Sequence, residues 1–280
     1  MRVLLLGASG FIGGGLWRYL RAIGVDVLTA GRGRENDIYL DASRPKQHGS
    51  DLHKLDFDVA INAIACGLDN RDVAAETAMK VNAGFPVFLA EELSNHRNFP
   101  FLVHLGSSLE RGSLETDNYV QTKSQGSDSL LMQGDGRSNR IVVVKLPSVY
   151  GPFQPANRFV ASAIETLLRR EHFLVKNPAS IRDFVYIEDA TRAIAMIAGR
   201  CWSGRAEEVI GTGTRISALE AAKCIAVTLD VPESLVQSAD VDVGSQPAKA
   251  EVSPLPTVLC PTHLAEGLVS TMRKMGSSHP

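Results

Sequence analysis

Met1-Arg2-Val3-Leu4-Leu5-Leu6-Gly7-Ala8-Ser9-Gly10-Phe11-Ile12-Gly13 is the stretch whose reading decides the fold. Val3 to Leu6 is a short apolar run bounded by glycine, the mark of a strand buried on both faces. The glycines that follow are spaced GxxGxxG and open a segment, Ile12 to Ile23, with helical spacing and Leu16, Leu20 and Ile23 on one side. A strand, a glycine turn and a helix in that order let backbone N–H groups approach a pyrophosphate, with the positive end of the helix dipole behind them. Gly7, Ser9, Gly10, Phe11, Ile12 and Gly13 are therefore candidate dinucleotide contacts. The competing reading is a glycine-rich turn without a ligand.

Outward from this turn the pattern alternates. Further strands are predicted at Val25–Ala30, Ile38–Leu40, Val59–Ala63, Phe101–Leu105 and Ile141–Leu146, the last rich in β-branched residues. Helical stretches fit between them at Ala74–Asn82 running into Val87–Leu93 and at Tyr119–Met132. Such alternation predicts an α/β fold, a Rossmann-type doubly wound parallel sheet covered on both faces. Beyond Gly151-Pro152 the rhythm changes. Helices are expected at Phe159–Arg170, Asp189–Ala198 and Ala218–Leu229, with apolar strand-like segments at Phe184–Ile187 and Glu208–Ile210. These strands are too few for an independent sheet. The expected organisation is a dinucleotide-binding domain over residues 1–152 and a small α/β substrate-binding subdomain over 153–280, with some segments returning to the core. The stretch from Val231 to Pro256 is rich in Ser, Pro, Val and Asp and yields no element, and the tail Gly276-Ser277-Ser278-His279-Pro280 is expected to fray.

Composition narrows the classes. A formal net charge of −2 without long like-charge runs gives no support to a nucleic-acid or anionic-membrane partner. The leading apolar run is too short for a signal peptide or a membrane span. Cys66, Cys201, Cys224 and Cys260 are scattered without ligand spacing, so neither a structural metal nor a disulfide framework is expected. Reduced, mostly buried thiols in a cytoplasmic protein are.

The end of the second strand selects the dinucleotide. A carboxylate there would bind the ribose 2′-OH of NAD. Gly31-Arg32-Gly33-Arg34 stands there instead. Arg32 and Arg34 suit a 2′-phosphate, favouring NADP (as NADPH) over NAD; otherwise they are solvated loop charges. Asp41, after the third strand, falls at the adenine edge or is a plain turn residue. Ala63, Ile64 and Ala65, at the end of the fourth strand, complete the cofactor candidates.

Tyr119-Val120-Gln121-Thr122-Lys123 is a YxxxK at a helix start, and its i, i+4 spacing puts both side chains on one face. An ammonium beside a phenol favours the phenolate, making the tyrosine a usable general acid or base. The motif follows a strand ending in Leu105-Gly106-Ser107-Ser108. Hydroxyls there lie at the carboxyl edge of the sheet, where doubly wound folds bind ligands.

The chain resembles the extended short-chain dehydrogenase/reductase family of NAD(P)-dependent nucleotide-sugar epimerases, dehydratases and reductases. Five segments carry the resemblance in the family's order: Gly7–Gly13, Ser107-Ser108, Tyr119–Lys123, Val149-Tyr150-Gly151-Pro152, and Arg182-Asp183-Phe184-Val185-Tyr186-Ile187-Glu188-Asp189. Gly211-Thr212-Gly213 and His263–Leu268 are similar to its C-terminal landmarks, so the resemblance spans nearly the whole chain. It implies that Ser108 is the catalytic hydroxyl, with Ser107 beside it facing cofactor and substrate. It implies that Tyr119 donates the proton while Lys123 holds the nicotinamide ribose, with Leu146, Pro147 and Val149 near the nicotinamide. Arg182 would pair with a substrate diphosphate, or else with Asp183 or Glu188. Asn82 matches a family asparagine that either serves the cofactor site or stabilises a strand end. Relatives dimerise through the YxxxK helix and its neighbour, which implies a homodimer.

Departures from the family sharpen the expectation. The Ser108–Tyr119 segment is short, Leu109 and Glu110 replace the Asp-Glu pair of the 4,6-dehydratases, Ser148 replaces an asparagine and Lys145 a common arginine. The expected activity is reduction of a 4-keto nucleotide sugar in deoxysugar formation, with hydride from the nicotinamide and a proton from Tyr119. The alternatives are a nucleotide-sugar epimerase with tightly bound NAD, a reductase of another small carbonyl compound, and a non-catalytic cofactor sensor.

Overall fold

The structure is a computed structural model describing residues 1–48, 52–67, 73–98, 100–111, 118–132, 140–200, 203–239 and 256–276. In chain order its elements are β1 (Arg2–Leu6), α1 (Phe11–Ala22), β2 (Asp26–Gly31), β3 (Ile38–Tyr39), α2 (Pro45–His48), β4 (Val59–Asn62), α3 (Ala75–Met79), α4 (Phe85–Ser94), β5 (Phe101–Ser107), α5 (Asn118–Met132), β6 (Ile141–Leu146), β7 (Ser148–Tyr150), α6 (Phe159–Leu168), β8 (Phe173–Val175), β9 (Ile181–Tyr186), α7 (Ile187–Ala198), β10 (Arg205–Gly211), β11 (Arg215–Ser217), α8 (Ala218–Thr228), β12 (Val236–Ser238), β13 (Val258–Leu259) and α9 (Leu264–Gly276).

The chain divides into two compact units, one of Met1–Leu146 with Thr191–Val209, the other of Pro147–Ala190 with Ile210–Pro280. An eight-stranded sheet runs β13-β10-β6-β5-β4-β1-β2-β3, parallel at every ladder. The first residues of β10 pair with β6, its last two with β13. The order reverses between β1 and β4, the switch point at which doubly wound sheets bind ligands. Leu4, Leu6, Ala60, Leu102 and Val143 project from the central strands into a core closed by Phe85, Leu89 and Leu130 of α4 and α5.

The helix expected at Ala74–Asn82 and its continuation form one rod, interrupted by a π-helical turn over Lys80–Gly84. On α5 the buried residues Tyr119, Thr122, Lys123, Gly126, Ser127 and Leu130 recur at three and four, so the YxxxK pair lies on the face turned to the protein.

In the second unit the sequence expectation needs correction. Strands β11, β9 and β7 form a three-stranded mixed sheet, and β12 pairs with β8 in a second ribbon. Several of these strands are three residues long, too short for a periodicity to register. Of the Val231–Pro256 stretch, the early part forms a 3-10 turn and β12; residues 240–255, like the tail 277–280, lie outside the described residues.

Candidate active site

Gly7 follows β1 at φ +87°, where its N–H donates to the Ala30 carbonyl at 2.9 Å and its carbonyl accepts from the Gly10 N–H at 3.1 Å. A Cβ on Gly7 would meet Ile64 Cγ1 at 3.0 Å and the Ala63 backbone at 3.1 Å, so a side chain would crowd the switch point as well as strain the turn. A Cβ on Gly13 would overlap the Gly7 carbonyl oxygen, which ties α1 tightly to the turn. No side chain caps α1 at Gly10, so its first amides face outward for an anion. Ser9 and Gly10 are exposed, Phe11 and Ile12 half-buried. The cradle fits a dinucleotide pyrophosphate.

At the end of β2 the turn is closed by Asn36, whose N–H and Nδ2 both donate to the Gly33 carbonyl. Arg32 and Arg34 project exposed from it. The nearby Asp37 carboxylate accepts from the Thr29 N–H at 2.8 Å and hydroxyl at 2.9 Å, bonds that hold it below its usual range. Asp41 accepts from the Ser43 N–H and hydroxyl. Burial would raise its carboxyl, but these bonds and the cations of Arg32 and Arg44 outweigh it, and the group is lowered.

Beyond β4, Ala63 and Ile64 are half-buried and Ala65 exposed. Asn82, fully buried in the π-helical turn, fastens this loop: Oδ1 accepts from the Cys66 N–H, and Nδ2 donates to the Cys66 carbonyl and to Thr122 Oγ1, at 2.9–3.0 Å. Its amide is consumed inside the protein, which supports a positioning role.

The end of β5 gathers a buried polar cluster. The Ser107 N–H donates to Glu110 Oε1 at 2.7 Å, while Glu110 Oε2 is ion-paired with Lys145 on β6. Glu207 on β10 lies 3.7 Å from the same ammonium. The Ser108 hydroxyl is buried and, among the described residues, has no hydrogen-bond partner. Lys123, 1% exposed, donates to the Leu105 carbonyl at 2.6 Å and sits 3.3 Å from His104 Nε2. Burial pulls its ammonium down to about 8; Glu110 opposes the fall and Lys145 adds to it. Buried Tyr119 stands one turn away on α5. Leu146 ends β6, buried.

Pro147, Val149 and Arg182 belong to the second unit. Arg182 reaches Ser148 Oγ at 3.4 Å. Asp183 accepts from the Thr212 hydroxyl and the Thr212 and Gly213 N–H groups, and Glu188 is ion-paired with Lys274. Among the described residues no group of His, Cys, Asp and Glu is arranged to hold a metal ion, and no helix is long and apolar enough to cross a membrane.

The profile of the NAD-dependent epimerase/dehydratase family matches residues 3–213. The chain belongs to that family. Solved structures share its fold end to end. MoeE5, in complex with UDP-glucuronic acid and NAD, superposes with a TM-score of 0.81 at 22% identity, covering 99% of this chain and 100% of its own. The UDP-glucose 4-epimerase of Thermotoga maritima, with UDP-glucose, gives 0.82 at 17% identity, covering both chains fully. The dTDP-glucose 4,6-dehydratase of Bacillus anthracis, in complex with NAD, gives 0.79 at 14%, covering 100% of this chain and 97% of that one. At these identities the likeness concerns the fold.

Within this family fold, sequence reasoning overlooked His104 and the Glu110–Lys145 pair. For His104 and Lys145 the signal was present. Parallel strands buried on both faces read as unbroken apolar runs, so a histidine in Phe101-Leu102-Val103-His104-Leu105 and a lysine in Ile141-Val142-Val143-Val144-Lys145-Leu146 each mark a buried polar network.

Proposed function

We propose that this chain is an NADPH-dependent reductase of a 4-keto nucleotide sugar. The observation that carries the reading is the Ser108 hydroxyl, buried without a partner at the carboxyl edge of the sheet, in the cluster that also holds Lys123. A buried hydroxyl left unpaired costs free energy, and a substrate carbonyl oxygen supplies the missing acceptor. Gly7, Ser9, Gly10, Phe11, Ile12 and Gly13 hold the pyrophosphate, Arg32 and Arg34 the 2′-phosphate, and Asp41, Ala63, Ile64 and Ala65 the adenosine side. Leu146, Pro147 and Val149 border the nicotinamide, and Ser107 stands between cofactor and substrate. The reduced nicotinamide, when bound, supplies a hydride to the carbonyl carbon.

The chain's own residues do the rest. Ser108 donates to the carbonyl oxygen and orients it. Tyr119 gives its phenolic proton to that oxygen as negative charge develops, and Lys123 governs the electrostatics of the phenol. Arg182 binds the sugar nucleotide's diphosphate. Elimination of water would need a carboxylate free to act as acid, and Glu110 is instead committed to the Ser107 N–H and Lys145. The free thiols Cys66, Cys224 and Cys260 suit a reducing cytoplasm.

The test is NADPH oxidation followed in absorbance with 4-keto nucleotide sugars, beside separate titrations of NADPH and NADH. Tyr119→Phe is expected to lower kcat by about 10²–10⁴-fold with NADPH affinity retained. Retention of tightly bound NAD through purification, without NADPH turnover, overturns the reductase and puts an epimerase in its place.

A further inference from the structure

The buried chain Asn62–His104–Lys123 contains a conflict of hydrogen-bond polarity that has one resolution. Asn62 and His104 are both fully buried, at 0% exposure, so no bulk water can mediate between them. The Ile64 N–H, which can only donate, points at Asn62 Oδ1 at 3.1 Å. That fixes the orientation of the amide, and Asn62 Nδ2 must donate to His104 Nδ1, 3.1 Å away. Nδ1 is then an acceptor. A charged imidazolium, which carries hydrogen on both nitrogens, is excluded, and the neutral ring must carry its proton on Nε2. Nε2 lies 3.3 Å from Lys123 Nζ. An ammonium has donors only, so an Nε2–H facing it would set donor against donor. The contact is a hydrogen bond only if Nζ offers a lone pair.

We propose that His104 is a positioning residue that holds Lys123 in its amine form: fixed by Asn62 as the Nε2–H tautomer, it donates to the Lys123 Nζ, and protonation of Nζ breaks the contact. The lysine thus has two states, an amine tied to β5 through His104 and the Leu105 carbonyl, and an ammonium released from His104. This deepens the reading of Tyr119 and Lys123 as the catalytic pair and rests on it for its consequence, since only the ammonium favours the phenolate. The surroundings agree. Burial first, then the Lys123 cation in its ammonium state and the Lys145 cation in both states, hold the His104 imidazole well below its usual range, so the ring stays neutral. The titratable and charged groups facing Lys123 are His104 on β5, Glu110 after β5, Lys145 on β6 and Cys66 after β4, with Tyr119 on its own helix.

The experiment is nitrogen NMR of the whole, cofactor-free protein, with labelled histidine and lysine titrated from pH 6 to 10. His104→Phe and Lys123→Met assign the resonances. The expected result is a neutral His104 carrying hydrogen on Nε2 above the Lys123 midpoint. Its ring shifts should then follow that midpoint, although the ring itself does not titrate. In His104→Phe the Lys123 midpoint is expected to move upward by about one pH unit, a tenfold change in its ionisation constant. An Nδ1–H tautomer, a charged ring, or ring shifts flat through the Lys123 titration overturns the proposal in the wild-type protein alone, even if the phenylalanine variant fails to fold. A midpoint unmoved in a folded His104→Phe protein overturns it as well. Because the readout needs neither cofactor nor substrate, an absence of reductase activity leaves this result standing, and the reverse also holds.

Discussion

Lys123 illustrates how a buried ammonium opposes stability. In the unfolded chain its amine binds a proton up to the ordinary lysine value of 10.5, whereas burial lowers it to about 8 in the folded protein. Between those values the unfolded state holds more protons, so stability rises with pH across the window. Below about pH 8 the full penalty is present, about 3 kcal/mol at 1.36 kcal/mol for each pH unit of difference. Lys123→Met fills the same space without a charge but loses the hydrogen bond to the Leu105 carbonyl, which returns about 1–2 kcal/mol of that gain. The variant is therefore expected to unfold at higher denaturant at pH 7, by about 1–2 kcal/mol, and to lose this advantage towards pH 10 while catalysis is lost throughout. Denaturation at the two pH values checks it; a variant less stable than the parent at pH 7 would show that Lys123 is a net structural asset.

At the scale of elements, the contact between the π-helical turn and α5 fixes the platform for Tyr119. Gly126 lies in the middle of α5, where alanine would favour the helix by about 1 kcal/mol. A Cβ there would overlap the Asn82 carbonyl oxygen and approach Ala83 Cα at 3.2 Å. Backbone cannot yield as a flexible side chain can, and overpacking of this kind costs about 1–3 kcal/mol or more. Gly126→Ala is thus expected to destabilise, against its propensity, and to weaken the loop that Asn82 fastens at Cys66. Equilibrium unfolding decides the sign. The same elements show what was legible in the sequence. The glycine turn, the central strands and the YxxxK helix each announce themselves locally, through an unbroken apolar run, a glycine spacing or an i, i+4 pair. The π-helical turn does not, because its five residues, Lys80–Gly84, are too few for a wider spacing to register as a period. Nor do β7, β8 and β11, which are three residues long and exist through partners distant in the chain. In the site, Ser107, Ser108, Tyr119 and Lys123 were legible as a motif. That Glu110 faces Ser107 and Lys145 was not, since it depends on a turn after β5 and on a lysine from the next strand.

At the scale of the molecule, the division into two units makes cofactor choice a question of stability as well as kinetics. Gly7–Gly13, Arg32, Arg34, Asp41 and Ala63–Ala65 all belong to the first unit. A ligand that binds only the folded form stabilises it by about 2.7 kcal/mol at a hundred times its Kd. For a unit of this size that corresponds to a rise in Tm of about 5 °C or more. Hydrogen bonds between a guanidinium and a 2′-phosphate contribute about 1.5–3 kcal/mol, so at equal concentrations NADPH should occupy the protein tenfold or more tightly than NADH. Calorimetry of the full chain with each dinucleotide is expected to show a larger shift for NADPH, confined to the first unit's transition if the two units melt separately. In Arg32→Asp the carboxylate repels the phosphate and can accept from a ribose 2′-OH, so the order of the two shifts should reverse. Equal shifts for both dinucleotides in the parent protein would mean that Arg32 and Arg34 are solvent-facing charges, and that the choice of NADP is made elsewhere or not at all.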